Sequence, residues 1–410
     1  MKILHITPSY EPAWHLGGVV RSLGQLCRGL VRLGVEVTVY TTDSGRDRRL
    51  KVPVNQAVEV DGVTVHYFKT DISLRFAYSR ALHRACRDMA GKFDLIHLTA
   101  FWCYPGIVGG HFARRWSIPY VISTAGTVRP SAMRHKSWKK WLYMASFEMR
   151  NMRGAAAIRC VTPMEQQQNV YLPISTPSFV VPNGINYLES PAIPRRAEAR
   201  RQLGIAADEF VGLFVGRLAL VKRIDLMIKA LSQAKNRGIL ATLLIAGPDW
   251  GELAKLKSLV QKLGLDDQVR FLGPVPPETR DLLLAATDFL ALTSEEESFG
   301  YAAVEALFAR RPVIVSEGVG IAPIVAAEKA GLVIPLDEAA MSQAMETMAR
   351  NQELMAQMGD NAFHCAGEHF DITAVSQKMA RAYNDILTGK RSVGLSWSDT
   401  ESRLREHNNP

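Results

Sequence analysis

Short apolar runs alternate with segments of helical period along almost the whole chain, and the pattern is laid down twice. The run "KILHITPSY" is followed by "GVVRSLGQLCRGLVRLG", where Val19, Leu23, Leu26, Leu30 and Leu33 recur at helical spacing. Then come "VEVTVYTTD", "VTVHYF", a helical stretch over 76–91, "FDLIHLTA" and "IPYVISTAG". The second series is "FVGLFVGRL", "ATLLIAGP", "VRFLGPV", "FLALTS", "PVIVSE" and "AGLVIPL", again with helix-like segments between. Short, largely apolar runs of this kind are what strands buried on both faces of a parallel sheet look like. The pattern therefore predicts the α/β class: two doubly wound, Rossmann-like domains, expected to face each other across a cleft. A chain of 410 residues fits two domains of roughly 180 residues better than one core.

The border falls in "VVPNGINYLESPAIPRRAEARRQLG", a strand followed by Pro-Asn-Gly turn signals and a polar, Pro-containing stretch. It predicts an N-terminal domain over 1–185, a C-terminal domain over 186–370 and a linker at about 184–196. The helical run "ITAVSQKMARAYNDIL", about 371–388, is expected to pack back over the border, and 389–410 reads as a polar tail.

Bulk properties narrow the class. Hydrophobic residues make up 47% and charged residues 22%, a folded and not a disordered composition. No apolar run reaches the ~20 residues that span a bilayer, and the N-terminus reads as a strand rather than a leader. Five scattered cysteines without a CxxC pair point away from a zinc site and toward a reducing cytoplasm. The net charge of +9 favours anionic partners such as nucleotide phosphates or anionic lipid.

In doubly wound sheets ligands bind beyond the carboxyl ends of the strands, so residues just after strands are the candidates. Gly17-Gly18 precedes the first long helix, where a free amide can meet an anion. The spacing is not that of a dinucleotide fingerprint, even with Asp43 after the second strand. In the second half Gly216-Arg217 follows a strand and Lys222 comes five residues later. A guanidinium fork and an ammonium can converge on a diphosphate there, or both can be solvated. Asp249 and Glu252 in "GPDWGE" read as helix caps. "VRFLGPVPPETRDLL" reads as a strand, a turn able to meet a nucleobase, and a helix opened by Pro-Glu.

The segment "EEESFGYAAVEAL", 295–307, is the most loaded with acid. The helix is expected to begin between Phe299 and Tyr301, leaving Glu295 to Glu297 in a loop. Ser294 and Glu297 fit a capping box, which would make Glu297 structural. That account leaves out Glu305, an acid on an apolar helix that needs partners such as sugar or ribose hydroxyls.

These motifs resemble family 4, or group 1, glycosyltransferases. "GG" (17–18), "PNGIN" (182–186), "FVGRLALVKRID" (214–225), "VRFLGPV" (269–275) and "EEESFGYAAVEAL" (295–307) run in that family's order over nearly all of the chain. The resemblance implies the GT-B fold and a retaining sugar transfer from a nucleotide-diphosphate sugar of UDP or GDP type. It implies catalytic roles for Glu297 near the reacting carbon, and for Arg217 and Lys222 against the diphosphate. Glu305 would take the ribose hydroxyls, and Phe299 and Gly300 would lend backbone amides. Gly18 would lend one from the opposite domain, and Ser298, Gly216 and Leu272 complete the expected donor set. No separate cofactor is implied. With no Asp-x-Asp in the chain, no metal is expected.

The sequence departs from that pattern at three places. Ala125-Gly126 stands where many relatives carry His-Gly, Arg223 follows Lys222 where glycine is common, and Asn186 replaces an aspartate. Arg129 or His135 could supply an acceptor contact. The basic stretch 129–153 places Trp138, Trp141, Leu142, Ala145 and Met149 on one helical face, with Lys136, Lys139, Lys140, Arg150 and Arg153 around it. Over 134–153 this can be an anionic-membrane surface or a core helix with a solvated basic face. No nucleic-acid-binding fold is legible. The expected enzyme works in the cytoplasm or peripherally on the membrane's inner face, on a glycan or lipid-linked acceptor. A nucleotide-sugar epimerase and a non-catalytic sugar-nucleotide binder are the competing readings.

Overall fold

The computed structural model describes residues 1–89, 91–127, 143–169, 174–186 and 195–390. Arg129, His135, residues 134–142 of the basic stretch, most of the expected linker and nearly all of the polar tail lie outside these. The chain divides into two compact units, residues 1–185 with 372–410, and residues 186–371.

The first unit is built on an eight-stranded sheet. Its strands are β1 (Lys2–Ile6), β2 (Glu36–Thr42), β3 (Ala57–Val60), β4 (Val63–Phe68), β5 (Leu95–Leu98), β6 (Tyr120–Ser123), β7 (Ala157–Cys160) and β8 (Ser178–Val180). They lie in the order β3-β4-β2-β1-β5-β6-β7-β8, parallel except for the β3–β4 hairpin. Strands β1 and β5 are neighbours, so the order reverses between them. One face carries the helices Gly18–Arg32 and Ile372–Leu387, whose Leu23, Leu26, Leu30, Val375, Met379 and Tyr383 are buried on the sheet. The other face carries Arg80–Arg87, Tyr104–Arg115 and Met149–Gly154, through Leu82, Val108, Phe112 and Met152.

The second unit has a six-stranded, all-parallel sheet of β9 (Phe210–Val215), β10 (Ala241–Ala246), β11 (Val269–Gly273), β12 (Phe289–Leu292), β13 (Val313–Ser316) and β14 (Gly331–Ile334). The order is β11-β10-β9-β12-β13-β14, which puts the reversal between β9 and β12. Both sheets are of the Rossmann-like type the alternation implied.

Local details depart from the sequence reading, each for a physical reason. The helix expected over 76–91 is confined to Arg80–Arg87, because the Ser79 side chain accepts the Leu82 N–H and fixes the start. Val19 and Leu33 are exposed, so the apolar stripe of the first helix is shorter than its period suggested. The Pro-Asn-Gly segment is not a turn but irregular chain running on from β8. Gly184 is there for room, since a Cβ would come 2.6 Å from Ile372 Cδ1. Where the chain returns, the Ile372 N–H donates to the Ile185 carbonyl (3.1 Å).

A buried polar row crosses the first sheet beneath the returning helix. His5 on β1 is in register with His97 on β5. The two ring nitrogens of His97 meet Tyr383 Oη (2.6 Å) and Ser123 Oγ (2.7 Å). On β7 the buried Arg159 donates to the carbonyls of Val181 (3.0 Å) and Pro182 (2.8 Å) and to Asn183 Oδ1 (3.2 Å). Burial, with Arg159 nearby, lowers the His5 imidazole to about 3 and holds His97 well below its usual range. Among the described residues no helix is long and apolar enough to cross a membrane.

Two outcomes follow. Tyr383→Phe removes a partner of a fully buried imidazole and is expected to cost about 1–3 kcal/mol in urea unfolding. Because the unfolded histidines take up protons that folded His5 and His97 refuse, stability is full above the ordinary value of 6.5. It should fall as pH drops from there toward about 3. His5→Asn should flatten that dependence, which thermal unfolding measured across this range would show.

Candidate active site in the second unit

Strands β9 and β12 are adjacent and parallel, so the loops after them leave the same sheet edge side by side. This is where a doubly wound sheet opens to a ligand. The β9 loop carries Gly216, Arg217 and Lys222. The β12 loop carries Glu295 to Gly300.

The loops are locked by the backbone. The Glu295 N–H donates to the Val221 carbonyl (2.9 Å), and Thr293 Oγ1 donates to the carbonyls of Lys222 (3.2 Å) and Arg223 (3.1 Å). The loop after β13 closes the far side. There the Glu297 N–H donates to Gly318 O (2.9 Å), and Glu297 O accepts from the Gly320 N–H (2.8 Å). Gly318 is needed for this approach, because a Cβ would lie 2.3 Å from Glu295 O.

On this scaffold the Lys222 ammonium forms an ion pair with Glu297. Lys222 is buried and the Glu297 side chain is about one quarter exposed, with a relative accessibility of 24%. Arg223 holds a left-handed backbone (φ 50°) where glycine would be unstrained. Its guanidinium bonds Asp225 (3.1 Å) and Glu295 (3.2 Å), which lift its own pKa and offset that strain. Of the two candidate cations, Lys222 is thus paired with a protein carboxylate, and Glu295 is the ion-pair partner of Arg223.

Arg217 is exposed, its Cζ 4.4 Å from the ring centroid of Trp250 in the β10 loop. The two loops are joined by a bridge between Leu218 and Asp249 and by the Trp250 N–H to Leu218 O (3.0 Å). Asp249 Oδ1 accepts from the N–H groups of Gly251, Glu252 and Leu253 (2.8, 3.0 and 3.1 Å), which lowers the Asp249 carboxyl. Glu252 does not cap through its side chain; it bonds Lys255 (2.8 Å).

The helix Tyr301–Phe308 starts from Gly300 (φ 95°), with no side-chain cap and no acid in its first turn. The capping box of Ser294 and Glu297 does not form, because the cap lies at Gly300, six residues past Ser294. Ser298 precedes this start. The Phe299 ring is core, 5.6 Å from Phe370 between centroids, so only its backbone is open to a donor role. Glu305 is nearly buried and pairs with Arg280 (3.0 Å), which also holds Asp281 (3.0 Å). Reading the acid alone pointed to a ligand hydroxyl and missed this cation. Arg280 and Trp250 were both missed, since the signal lay only in "PPETRD" and "GPDWGE", segments read as turn and cap. Leu272 on β11 is partly exposed.

In the first unit, Gly18 opens the helix Gly18–Arg32 with no side-chain cap. Ala125 is left-handed (φ 45°), and the turn is held by Glu165, which accepts from Thr124 Oγ1 (2.7 Å) and the Gly126 N–H (2.5 Å). Met149, placed by the sequence on a helical face that suits either a membrane surface or a core, is buried with Met144 against Phe101, Trp102 and Ile174. Among the described residues no cluster of three or more metal-ligating side chains occurs.

Residues 195–364 match the family described as "Glycosyl transferases group 1", and residues 17–184 match the "Glycosyl transferase 4-like domain". The chain belongs to this glycosyltransferase family. It is a retaining glycosyltransferase that uses nucleotide-sugar donors, which sets aside the epimerase and binding-protein readings. It is similar to the D-inositol 3-phosphate glycosyltransferases of Kineococcus radiotolerans (29% identity over 80% of this chain and 79% of that one) and Streptomyces avermitilis (27% over 95% and 88%). Among solved structures, Anabaena HepE in complex with UDP aligns with a TM-score of 0.74 at 22% identity, covering 94% of this chain and all of that one. Its complex with UDP-glucose aligns with a TM-score of 0.71. The glycosyltransferase has the GT-B fold.

Removing one partner of a nearly buried pair leaves the other charge uncompensated. Arg280→Ala is expected to destabilise the enzyme by about 3 kcal/mol. The double variant Arg280→Ala/Glu305→Ala should recover only part of that loss in denaturant unfolding, because Asp281 still lacks its cation.

Proposed function

We propose that the enzyme transfers a sugar from a UDP-sugar to a hydroxyl of a glycan or lipid-linked acceptor, with the donor held by the loops after β9, β10 and β12. The observation that carries this reading is the meeting of Lys222, Glu297 and the uncapped start of Tyr301–Phe308 at the sheet's reversal point. Breaking the glycosyl–phosphate bond builds negative charge on the leaving diphosphate. Fixed cations and amides stabilise that charge as it grows, without reorganising. In this reading Lys222 and Arg217 take the diphosphate, with backbone amides of Phe299 and Gly300. Gly216 in the β9 loop and Ser298 in the β12 loop complete the donor set. Glu297 holds sugar hydroxyls near the reacting carbon while its other contact orients Lys222. Glu305, steadied by Arg280, takes the ribose hydroxyls, and the backbone around Leu272 meets the base. With one face of the sugar carrying both leaving group and nucleophile, attack from the front retains configuration, the departing phosphate oxygen accepting the acceptor's proton.

UDP is favoured over GDP because HepE is solved with UDP and UDP-glucose at matching fold. A second acceptor reading, a phosphorylated inositol, is favoured by the names of the relatives. Work at the inner face of a membrane, within surface-glycan or glycolipid synthesis, belongs to the first reading only.

A thermal-shift panel of nucleotide sugars tests the donor site. A UDP-sugar should stabilise the wild type and lose its effect in Arg217→Ala and Glu305→Ala. Lys222→Ala should lower kcat by about 10²–10³-fold, and Trp250→Ala, which frees Arg217, should weaken donor binding about 2–5-fold. Equal stabilisation of every variant would show the donor lies elsewhere. Product analysis with a glycan acceptor and with D-inositol 3-phosphate separates the two acceptors.

A further inference from the structure

A second feature of the first unit takes no part in the donor chemistry. Between the helices Arg80–Arg87, Tyr104–Arg115 and Met149–Gly154, with the π-helical stretch Met144–Glu148 that precedes the last, lies a cavity of about 310 Å³. The helices around it pack closely. A Cβ on Gly110 would lie 2.4 Å from Asn151 Oδ1, and one on Gly154 would lie 2.7 Å from Arg114 Cδ, so only glycine permits the approach.

Among the described residues, the cavity's lining contains Arg114, Arg150, His83 and His111 and no acid. Arg114 uses one nitrogen, Nη1, for both Tyr120 Oη (2.9 Å) and Asn151 Oδ1 (2.8 Å). That fixes the guanidinium and leaves Nε and Nη2 uncommitted among the described residues. His83 Nδ1 meets Tyr104 Oη (2.7 Å), leaving Nε2. Arg150 is exposed. The acid next in the chain, Glu148, is buried away from the cavity and accepts the Trp102 N–H (2.9 Å). Partial burial lowers the His111 imidazole, and every charged group acting on it, Arg114, Arg115, Arg150 and His83, pushes the same way. The guanidinium charges of Arg114 and Arg150 around an apolar floor of Ile107, Val108 and the half-exposed Phe147 repel one another unless an anion offsets them. The volume exceeds what a bare anion fills.

We propose that this groove binds a phosphate-bearing ligand, its phosphate on Arg114, Arg150 and His111 and its carbon body against Ile107 and Phe147. Guanidinium forks match phosphate oxygens in pairs. The same chemistry is offered by a free phosphorylated small molecule and by the headgroup of an anionic lipid.

Both sources can be tested on the full chain. In one arm, glycerol 3-phosphate is titrated while the His83 and His111 C2–H resonances are followed by NMR, assigned with His83→Gln and His111→Gln. In the other, flotation is compared on phosphatidylglycerol-containing and pure phosphatidylcholine vesicles. The expected result is a saturable shift of His111, or flotation with phosphatidylglycerol only, weakened about tenfold or more in Arg150→Glu. A shift with glycerol 3-phosphate assigns the free ligand; flotation without that shift assigns the headgroup. No response in either arm, or an undiminished one in Arg150→Glu, overturns the proposal. Arg150 is a surface residue outside the donor loops, so Arg150→Glu should keep its unfolding midpoint and its thermal shift with nucleotide sugar. A failure here therefore leaves the donor reading untouched.

Discussion

The ion pair of Lys222 with Glu297 joins two residues 75 positions apart in sequence, and the loops after β9 and β12 are organised around it. Neither residue would meet the other without the strand order that makes β9 and β12 neighbours. The parallel sheet sends both loops out at the same edge, and the backbone bonds from Glu295 to Val221 and from Glu297 to Gly318 set their heights. The pair is then a consequence of topology first and of charge second. A carboxylate beside the ammonium also keeps the lysine in one place.

The fold was legible because apolar runs buried on both faces of a sheet leave few alternatives. The order of strands was not, since periodicity carries no information about which strand lies beside which. That is why Glu297 and Lys222 could be named as candidates from spacing and resemblance, while their contact could not. Arg280 shows the complementary blind spot. An acid on an apolar helix announces a buried charge, but its partner sits 25 positions earlier, at the start of another helix, where an arginine looks like any solvated cation. Ser294 and Glu297 show a third: a capping box is a local pattern, and the tertiary bonds that hold Glu297 in the loop after β12 place the helix start elsewhere.

The departures from the family pattern are structural statements as well as chemical ones. Arg223 occupies a left-handed position that a glycine would take freely, and it is held there by Asp225 and Glu295. Ala125 does the same in the first unit, in a turn whose amide and hydroxyl are collected by Glu165. In both places a side chain accepts backbone strain of order 1 kcal/mol, and neighbouring polar groups over-determine the loop.

Ile185 and Ile372 touch, so the chain leaves the first unit and comes back at the same point, with the second unit spliced between them. During synthesis the ribosome delivers all of residues 186–371 before the helix Ile372–Leu387 that covers one face of the first sheet. Until then Val375, Met379 and Tyr383 are missing from that core and His97 lacks its phenol. The unit that begins first is therefore completed last, and its unfinished apolar face is exposed to the cell for as long as translation of the second unit takes.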